Sequence, residues 1–364
     1  MSVTFGVVGL GGRSTSAYGD VKRLDWLELK AFCDVEPKRL ERLADEFGVP
    51  ERYTRYGDLL DSDIDFVFIA TPPELHVRMT VQALEAGKHV LCEIPAATNI
   101  EEAQLLIEAT SRSGLLYMIA ENYCYRRDIQ AFRRSILSGE IGRIVYASGH
   151  YCHDDRDRRA NWKKRGVRTW FDDYEQPRYI THALGPLLYV TQDRVTSLVA
   201  DAPEDRIKVL GNESLFTAVQ CKTEKGVVLQ LFYGMAVAQH GTWYSFTGEK
   251  GTLESLPLAV KPLESKPRLL GEKPYRLTKT GARHEAALRD GRMVDLDPGH
   301  PFNTYRGGSH WESDLCVIGV FAEAVRDGKP PPLDVQFGLD IALPGLAAAE
   351  SVRQGGVPVE VPTP

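Results

Sequence analysis

The stretch VTFGVVGLGGRS, residues 3–14, decides how the rest of the chain is read. Its first half is an apolar run of strand length. Its second half is Gly9-Leu10-Gly11-Gly12-Arg13-Ser14. Glycines directly after a buried strand permit a tight turn and let backbone N–H groups approach a pyrophosphate at a helix N-terminus. The pattern G-x-G-x-x-G is met at Gly9 and Gly11. Ser14 takes the third position, where a small residue packs closely and can also cap a helix. Alone, the turn is a weak signal. It gains weight from Asp34, which ends the next apolar run, ELKAFCD at 28–34. An acid there accepts hydrogen bonds from ribose hydroxyls and repels a 2′-phosphate. NAD is therefore expected over NADP, with Lys38 and Arg39 the residues that argue the other way.

Working outward, residues 14–24 are weakly helical, and PKRLERLADEF (37–47) opens on proline and carries apolar residues at a helix period. DFVFIA (65–70) is a strand, and ELHVRMTVQALEAG (74–87) a helix that ends in glycine. HVLC (89–92), IEEAQLLIEATSRSG (100–114) and LLYMIAE (115–121) continue the alternation as strand, helix and strand. Strands alternating with helices imply right-handed β-α-β units and a parallel sheet. After about residue 123 the rhythm changes. A helix near 128–138 is followed by alternating strands at 143–151, 214–221, 227–234 and 242–248, with a hairpin turn at 249–251. Residues 260–310 are a Pro-, Gly-, Lys- and Arg-rich excursion, and two helices near 311–327 and 336–354 close the chain. The expected fold class is α/β: an N-terminal Rossmann doubly wound parallel sheet over 1–122, then an α/β domain over 123–364 with a large, mainly antiparallel sheet. The C-terminal helices are free to pack back on the first domain.

Composition narrows the function. A chain of 364 residues exceeds one core, and 43% hydrophobic residues suffice for two. A formal charge of −6 disfavours a nucleic-acid binder that works by neutralising phosphates. The six cysteines are scattered, with no C-x-x-C pair, and fit reduced structural thiols. No signal-like segment precedes the first strand and no apolar run is long enough to span a membrane, so a cytoplasmic location is expected. The open face of an antiparallel sheet makes a homo-oligomer, dimer or tetramer, the expected assembly.

Chemistry in open α/β sheets sits outside the carboxyl ends of the strands. Thr71, Pro72 and His76, in ATPPELH (70–76), follow one such end. Glu93 follows another, in HVLCEIPAATN (89–99), and Glu121 and Asn122 follow a third. Between Glu93 and Pro95 stands Ile94, which cannot move a proton. His150, His153, Asp154 and Asp155 invite a metal reading, but strand residues three apart face opposite sides, so no metal site is expected.

The stretches GVVGLGGR, CDVEPKRLERLADEFG, IATPPELHVRMTVQALEAGKHVLCE and SGEIGRI resemble the Gfo/Idh/MocA oxidoreductases, a family with a Rossmann domain and a C-terminal α/β domain. Most members read Glu-Lys-Pro where this chain has Glu93-Ile94-Pro95, and that lysine assists proton transfer from a sugar hydroxyl. Many also carry Asp-x-x-x-His, whereas the position four before His182 is Arg178. EIPAA (93–97), IAENYCYRRD (119–128), GHYCHD (149–154), YITHALGPL (179–187) and GGSHW (307–311) are similar to the NAD-dependent glycoside hydrolase branch typified by α-N-acetylgalactosaminidase. The resemblance implies active-site roles for Glu121, Tyr151, Tyr179 and His182.

It also implies chemistry in which bound NAD is recycled. A ring hydroxyl is oxidised to a ketone, the acidified neighbouring C–H loses its proton, and the glycosidic oxygen leaves. Water then adds and the carbon is reduced again. Histidine suits the hydroxyl proton because it titrates near neutrality, which points to His182. A tyrosine has a reference pKa of about 10 and must be perturbed to serve as a base; Tyr151 is the candidate for the C–H, with Tyr179 and Glu121 orienting or assisting. Two other readings stay open: a net NAD-dependent sugar or cyclitol dehydrogenase, and a non-catalytic NAD-binding regulator.

Overall fold

The apolar runs of the N-terminal third pair side by side. A computed structural model describes the chain except residues 1, 13–20, 167–168, 170–173, 204–205, 208–212, 215, 256–285, 289–292 and 295–309. It divides the chain into two units. One comprises Met1–Tyr125, Ser309–Leu343 and Pro362–Pro364, the other Arg126–Gly308 and Pro344–Val361.

In the first unit, strands β1 (Val3–Val8), β2 (Leu27–Cys33), β3 (Glu51–Tyr53), β4 (Phe66–Ile69), β5 (His89–Cys92) and β6 (Tyr117–Ile119) form one sheet in the order β3-β2-β1-β4-β5-β6. Every neighbouring pair is parallel. A parallel sheet is covered on both faces, which is why FVFI of β4 has no alternation and is buried at all four residues. Phe5 and Phe66 stack at 5.0 Å across the β1–β4 pair. Helix α1 (Pro37–Phe47) starts on its proline, ends at Gly48 in the left-handed region (φ 66°), and buries Leu40, Leu43 and Ala44. Between it and β4 lie β3 and the one-turn helix α2 (Tyr56–Leu60), too short to announce themselves by period. The helix expected over 74–87 begins as a 3-10 turn, Pro73–Leu75, before α3 (His76–Glu85). At α4 (Ile100–Ser113), the Asn99 side chain accepts the Glu102 N–H while Glu102 accepts the Thr98 N–H, a reciprocal cap. The strand order reverses between β1 and β4, so their carboxyl ends flank the crevice where such sheets bind dinucleotides.

The second unit opens with α5 (Arg127–Leu137) and the long strand β7 (Ile144–Asp154), then α6 (Arg156–Lys164) and α7 (Thr181–Thr191). The strands that follow are β8 (Val195–Asp201), β9 (Arg206–Ile207), β10 (Glu213–Ser214), β11 (Thr217–Thr223), β12 (Val228–Gly234), β13 (Ala236–Gly248), β14 (Thr252–Ser255), β15 (Ala286–Leu288) and β16 (Met293–Val294). Among the described residues β9 and β10 pair only with each other; the others join β7 and β17 (Val359–Glu360) in the order β16-β15-β14-β13-β7-β12-β11-β8-β17. The sheet is mainly antiparallel, but β12 runs parallel to β7. The period-2 pattern fixes which face a side chain takes and is the same for either direction, so this pairing is invisible in the sequence. Helix α7 covers the β7 backbone at Gly149. A Cβ there would stand 2.2 Å from the Ala183 carbonyl oxygen, so only glycine allows the approach.

Two helices follow the second sheet's main strands: α8 (His310–Asp327) and α9 (Val335–Arg353). All of α8 belongs to the first unit, where Phe321 meets Phe66 edge-on at 5.1 Å. α9 supplies residues to both units, and the division falls at its internal Pro344. The expected excursion over 260–310 lies outside the described residues apart from β15, β16 and the first residue of α8.

Candidate functional site

The glycine turn is built around its first glycine. Gly9 has φ +87° and donates its N–H to the Cys33 carbonyl. A Cβ would meet the Ala70 carbonyl oxygen at 2.7 Å, so the turn can lie against the end of β4 only with glycine here. At Gly11 and Gly12 a Cβ would meet none of the described residues within 4 Å. Arg13 and Ser14 lie outside the described residues.

Asp34, expected as a ribose acceptor, first holds the turn together. Its carboxylate accepts the Leu10 N–H at 2.8 Å and the Glu36 N–H at 2.8 Å, and pairs with Arg39 at 3.1 Å. Arg39 thus engages the acid that disfavours a 2′-phosphate. His76 is also a tie. Its ring is 1% exposed, with Nδ1 3.0 Å from the Pro95 carbonyl and Nε2 2.8 Å from that of Thr71. Burial pushes its pKa down, against the pull of the two carbonyls. The ring joins the turn after β4 to the turn after β5. Pro72 immediately precedes the 3-10 turn between them.

Glu93 is buried at the end of β5 and donates its N–H to the Ile69 carbonyl. Ile94 beside it is 5% exposed, and its peptide to Pro95 is cis. Glu121 is fully buried after β6 and accepts the Tyr123 N–H at 3.1 Å. Asn122 is 1% exposed; its amide nitrogen donates to Asp314 of α8 at 2.7 Å, and its Oδ1 has no partner among the described residues. Glu93, Asn122 and Asp314 border one small, closely packed gap with Phe68, Val317 and Ile318. Glycines without Cβ crowding, a carboxylate-braced turn and a bare buried acceptor at the opposite half of the sheet fit a dinucleotide.

The other three residues expected at the active site fall in the second unit, and there they meet. Tyr151 and His182 have ring centroids 4.7 Å apart, and Tyr179 and His182 are 5.7 Å apart. Each is placed by a local device. Tyr151 follows Gly149 by two residues on β7 and shares its face. Tyr179 follows a 3-10 turn on which Gly345 packs, where a Cβ would stand 2.4 Å from the Arg178 carbonyl oxygen. His182 lies in the first turn of α7, four residues before Pro186. Proline has no N–H, so the His182 carbonyl loses its helical donor. The Tyr244 hydroxyl donates to it instead at 2.6 Å.

Sequence reasoning missed Tyr233, which stands opposite Tyr151 in the β12–β7 register and stacks on it at 6.0 Å. It also lies 5.8 Å from Tyr179. It missed Tyr244 and Asp314 as well. The only advance signal was Pro186, which implies an orphaned carbonyl four residues earlier. Of the β7 histidines, His153 packs on Tyr151 and His150 on Phe232 and Trp243, on opposite faces of the strand. Among the described residues no cluster has the make-up of a metal site. All six cysteines are buried thiols in no disulfide; burial pushes Cys33 and Cys221 up to about 12 and Cys152 to about 11, which makes those three poor nucleophiles.

Residues 3–121 match the family profile described as an oxidoreductase family with an NAD-binding Rossmann fold, and residues 129–254 match the GFO/IDH/MocA C-terminal domain. The chain belongs to the Gfo/Idh/MocA oxidoreductase family. Its first sheet is that family's NAD-binding Rossmann domain, and NAD is its cofactor. A glycosyl hydrolase family 109 protein of Shewanella woodyi is 31% identical over 99% of this Gfo/Idh/MocA chain and 84% of its own. An α-N-acetylgalactosaminidase of Bacteroides fragilis is 25% identical over 99% of this chain and 91% of its own. Among solved structures, scyllo-inositol dehydrogenase from Lactobacillus casei with NAD(H) and scyllo-inositol superposes with a TM-score of 0.76 at 18% identity, covering 99% of each chain. That likeness shows a shared fold.

Proposed function

We propose that this protein hydrolyses a glycoside and that its bound NAD is regenerated within each turnover. The observation that carries the reading is the Tyr151–His182–Tyr179 cluster of the second unit. Ile94, buried where most of the family has lysine, supports it. So does similarity over nearly the whole chain to glycosyl hydrolase family 109 proteins, one of them an α-N-acetylgalactosaminidase. An N-acetylhexosaminide is the substrate class to try first.

The glycine turn at Gly9, Gly11 and Gly12, Asp34, Glu93 and Asn122 are the residues that would hold NAD. When bound, it supplies reversible hydride exchange with a hydroxyl-bearing carbon of the sugar ring. His182 takes the proton of that hydroxyl, a task for which an imidazole is suited. The carbonyl so formed acidifies the next C–H, and Tyr151 removes its proton. Tyr233 and His182 both pack on Tyr151 and fix the ring that does so. Tyr179 and Glu121 orient the sugar or assist the leaving oxygen. Each general acid–base step of this kind contributes on the order of 10²–10⁴ in rate.

The test is an aryl α-N-acetylgalactosaminide assay in which released aglycone and reduced nucleotide are followed together. Aglycone release with no net reduction of nucleotide is expected. Steady accumulation of reduced nucleotide with free sugars or cyclitols, and no aglycone release, contradicts the reading and makes the protein a net dehydrogenase.

A further inference from the structure

Asn122 carries an unusual constraint. Its amide nitrogen lies 2.7 Å from Asp314 Oδ1 and 3.4 Å from Ser313 Oγ, all three residues being at most 4% exposed. A carboxylate accepts hydrogen bonds and does not donate them. The amide nitrogen must therefore face Asp314, and the alternative flip, with Oδ1 against the carboxylate, is repulsive. Oδ1 is thereby turned away from α8. It is buried and has no partner among the described residues. A bare buried acceptor is costly unless something donates to it.

The sheet says which part of a dinucleotide the donor belongs to. Asp34, the acid that takes adenosine ribose in such folds, follows β2 on one side of the strand-order reversal. Asn122 follows β6, at the far edge of the other half, and borders the same small gap as Glu93. The second half-sheet serves the second nucleotide, which in NAD is the nicotinamide. The carboxamide of nicotinamide is an N–H donor.

We propose that Asp314 is a positioning residue for NAD: it locks the Asn122 amide so that Oδ1 accepts from the nicotinamide carboxamide N–H. Helix α8, which arrives some 190 residues after β6, thus sets the polarity of an atom that reads the cofactor. The inference rests on NAD binding and is independent of which reaction the enzyme runs.

The experiment compares binding of NAD and of 3-acetylpyridine adenine dinucleotide, which keeps a carbonyl but has no carboxamide N–H. Titration calorimetry on the full chain freed of nucleotide gives both affinities. The wild-type protein is expected to prefer NAD by about ten-fold, the scale of one buried hydrogen bond. In Asp314→Asn the neighbour can donate as well as accept, so the Asn122 amide is free to flip, and the preference is expected to fall to about two-fold or less. In an Asn122→Ala background the preference is already lost, and adding Asp314→Asn should leave the ratio unchanged. A general loosening of the fold would weaken both ligands alike and leave the wild-type ratio in place. That outcome, or equal affinities in the wild-type protein, overturns the proposal. The wild-type comparison stands even if Asp314→Asn fails to fold.

Discussion

Tyr151, His182 and Tyr244 show how single side chains are given tasks by their neighbours. Tyr151→Phe removes a hydroxyl and leaves the stacked ring. If that hydroxyl takes the C–H proton, kcat should fall by about 10²–10⁴ while NAD affinity, measured by calorimetry, stays unchanged. Tyr244→Phe acts one step back. It leaves the buried His182 carbonyl without the hydroxyl that replaces the missing Pro186 N–H. The expected loss is about 1–3 kcal/mol in urea unfolding, with kcat reduced more than KM because His182 is no longer held. The turn at Gly9 was legible in the sequence because a glycine directly after a buried strand marks a backbone position that other residues strain to adopt. Tyr244 and Asp314 were not, because their partners lie 62 and 192 residues away in the chain. Asp34 and His76 were picked out for contact with a ligand, yet both spend hydrogen bonds on the backbone. A polar residue at a sheet edge looks the same in sequence whether it faces the ligand or braces the loop behind it.

Elements with a clear period were legible and the rest were not. Helix α1 has apolar residues on one stripe, a proline start and a glycine stop. Helix α7 is buried at nine of its eleven residues and contains Pro186, so it has no polar stripe and carries a breaker. Its sequence looked like a motif rather than a helix. Strand β5 carries a pH dependence. His89 Nδ1 accepts the Leu116 N–H at 2.9 Å, which requires that nitrogen to be unprotonated. Burial, opposed by Asp65, pushes the ring's pKa below its ordinary value of 6.5. Between the folded and unfolded values the unfolded chain binds the extra proton, so stability rises with pH there. The contribution is complete above about pH 6.5 and is lost as pH falls through the lowered folded value. His150 and His76, also pushed down by burial, add in the same direction. Urea midpoints should therefore drop between pH 7.5 and 5.5. His89→Asn, which keeps an acceptor for Leu116 without a titrating ring, should show a shallower drop; an identical slope would remove His89 from the account.

At the level of the whole chain, the Rossmann unit is not closed by its first 125 residues. Residues 309–343 return to it, with Leu315, Val317, Ile318 and Phe321 of α8 all buried. Burying four such side chains is worth about 6–12 kcal/mol at roughly 1.5–3 each, comparable to the whole stability of an ordinary domain. A fragment of residues 1–125 should therefore lack a cooperative thermal transition by near-ultraviolet circular dichroism. The same fragment joined to residues 309–343 by a flexible linker should regain one. The alternation of strands and helices made the Rossmann sheet readable, whereas nothing local in α8 says which sheet it covers. The second sheet's face pattern was readable and its mixed direction was not.

The central claim is that the sugar is oxidised, loses a C–H proton, and is reduced again before release. Hydrolysis of the aryl glycoside in deuterated water, followed by NMR of the freed sugar, tests it most directly. The account predicts one solvent deuterium on the ring carbon next to the one oxidised. Sugar released with protium at every ring carbon would contradict it.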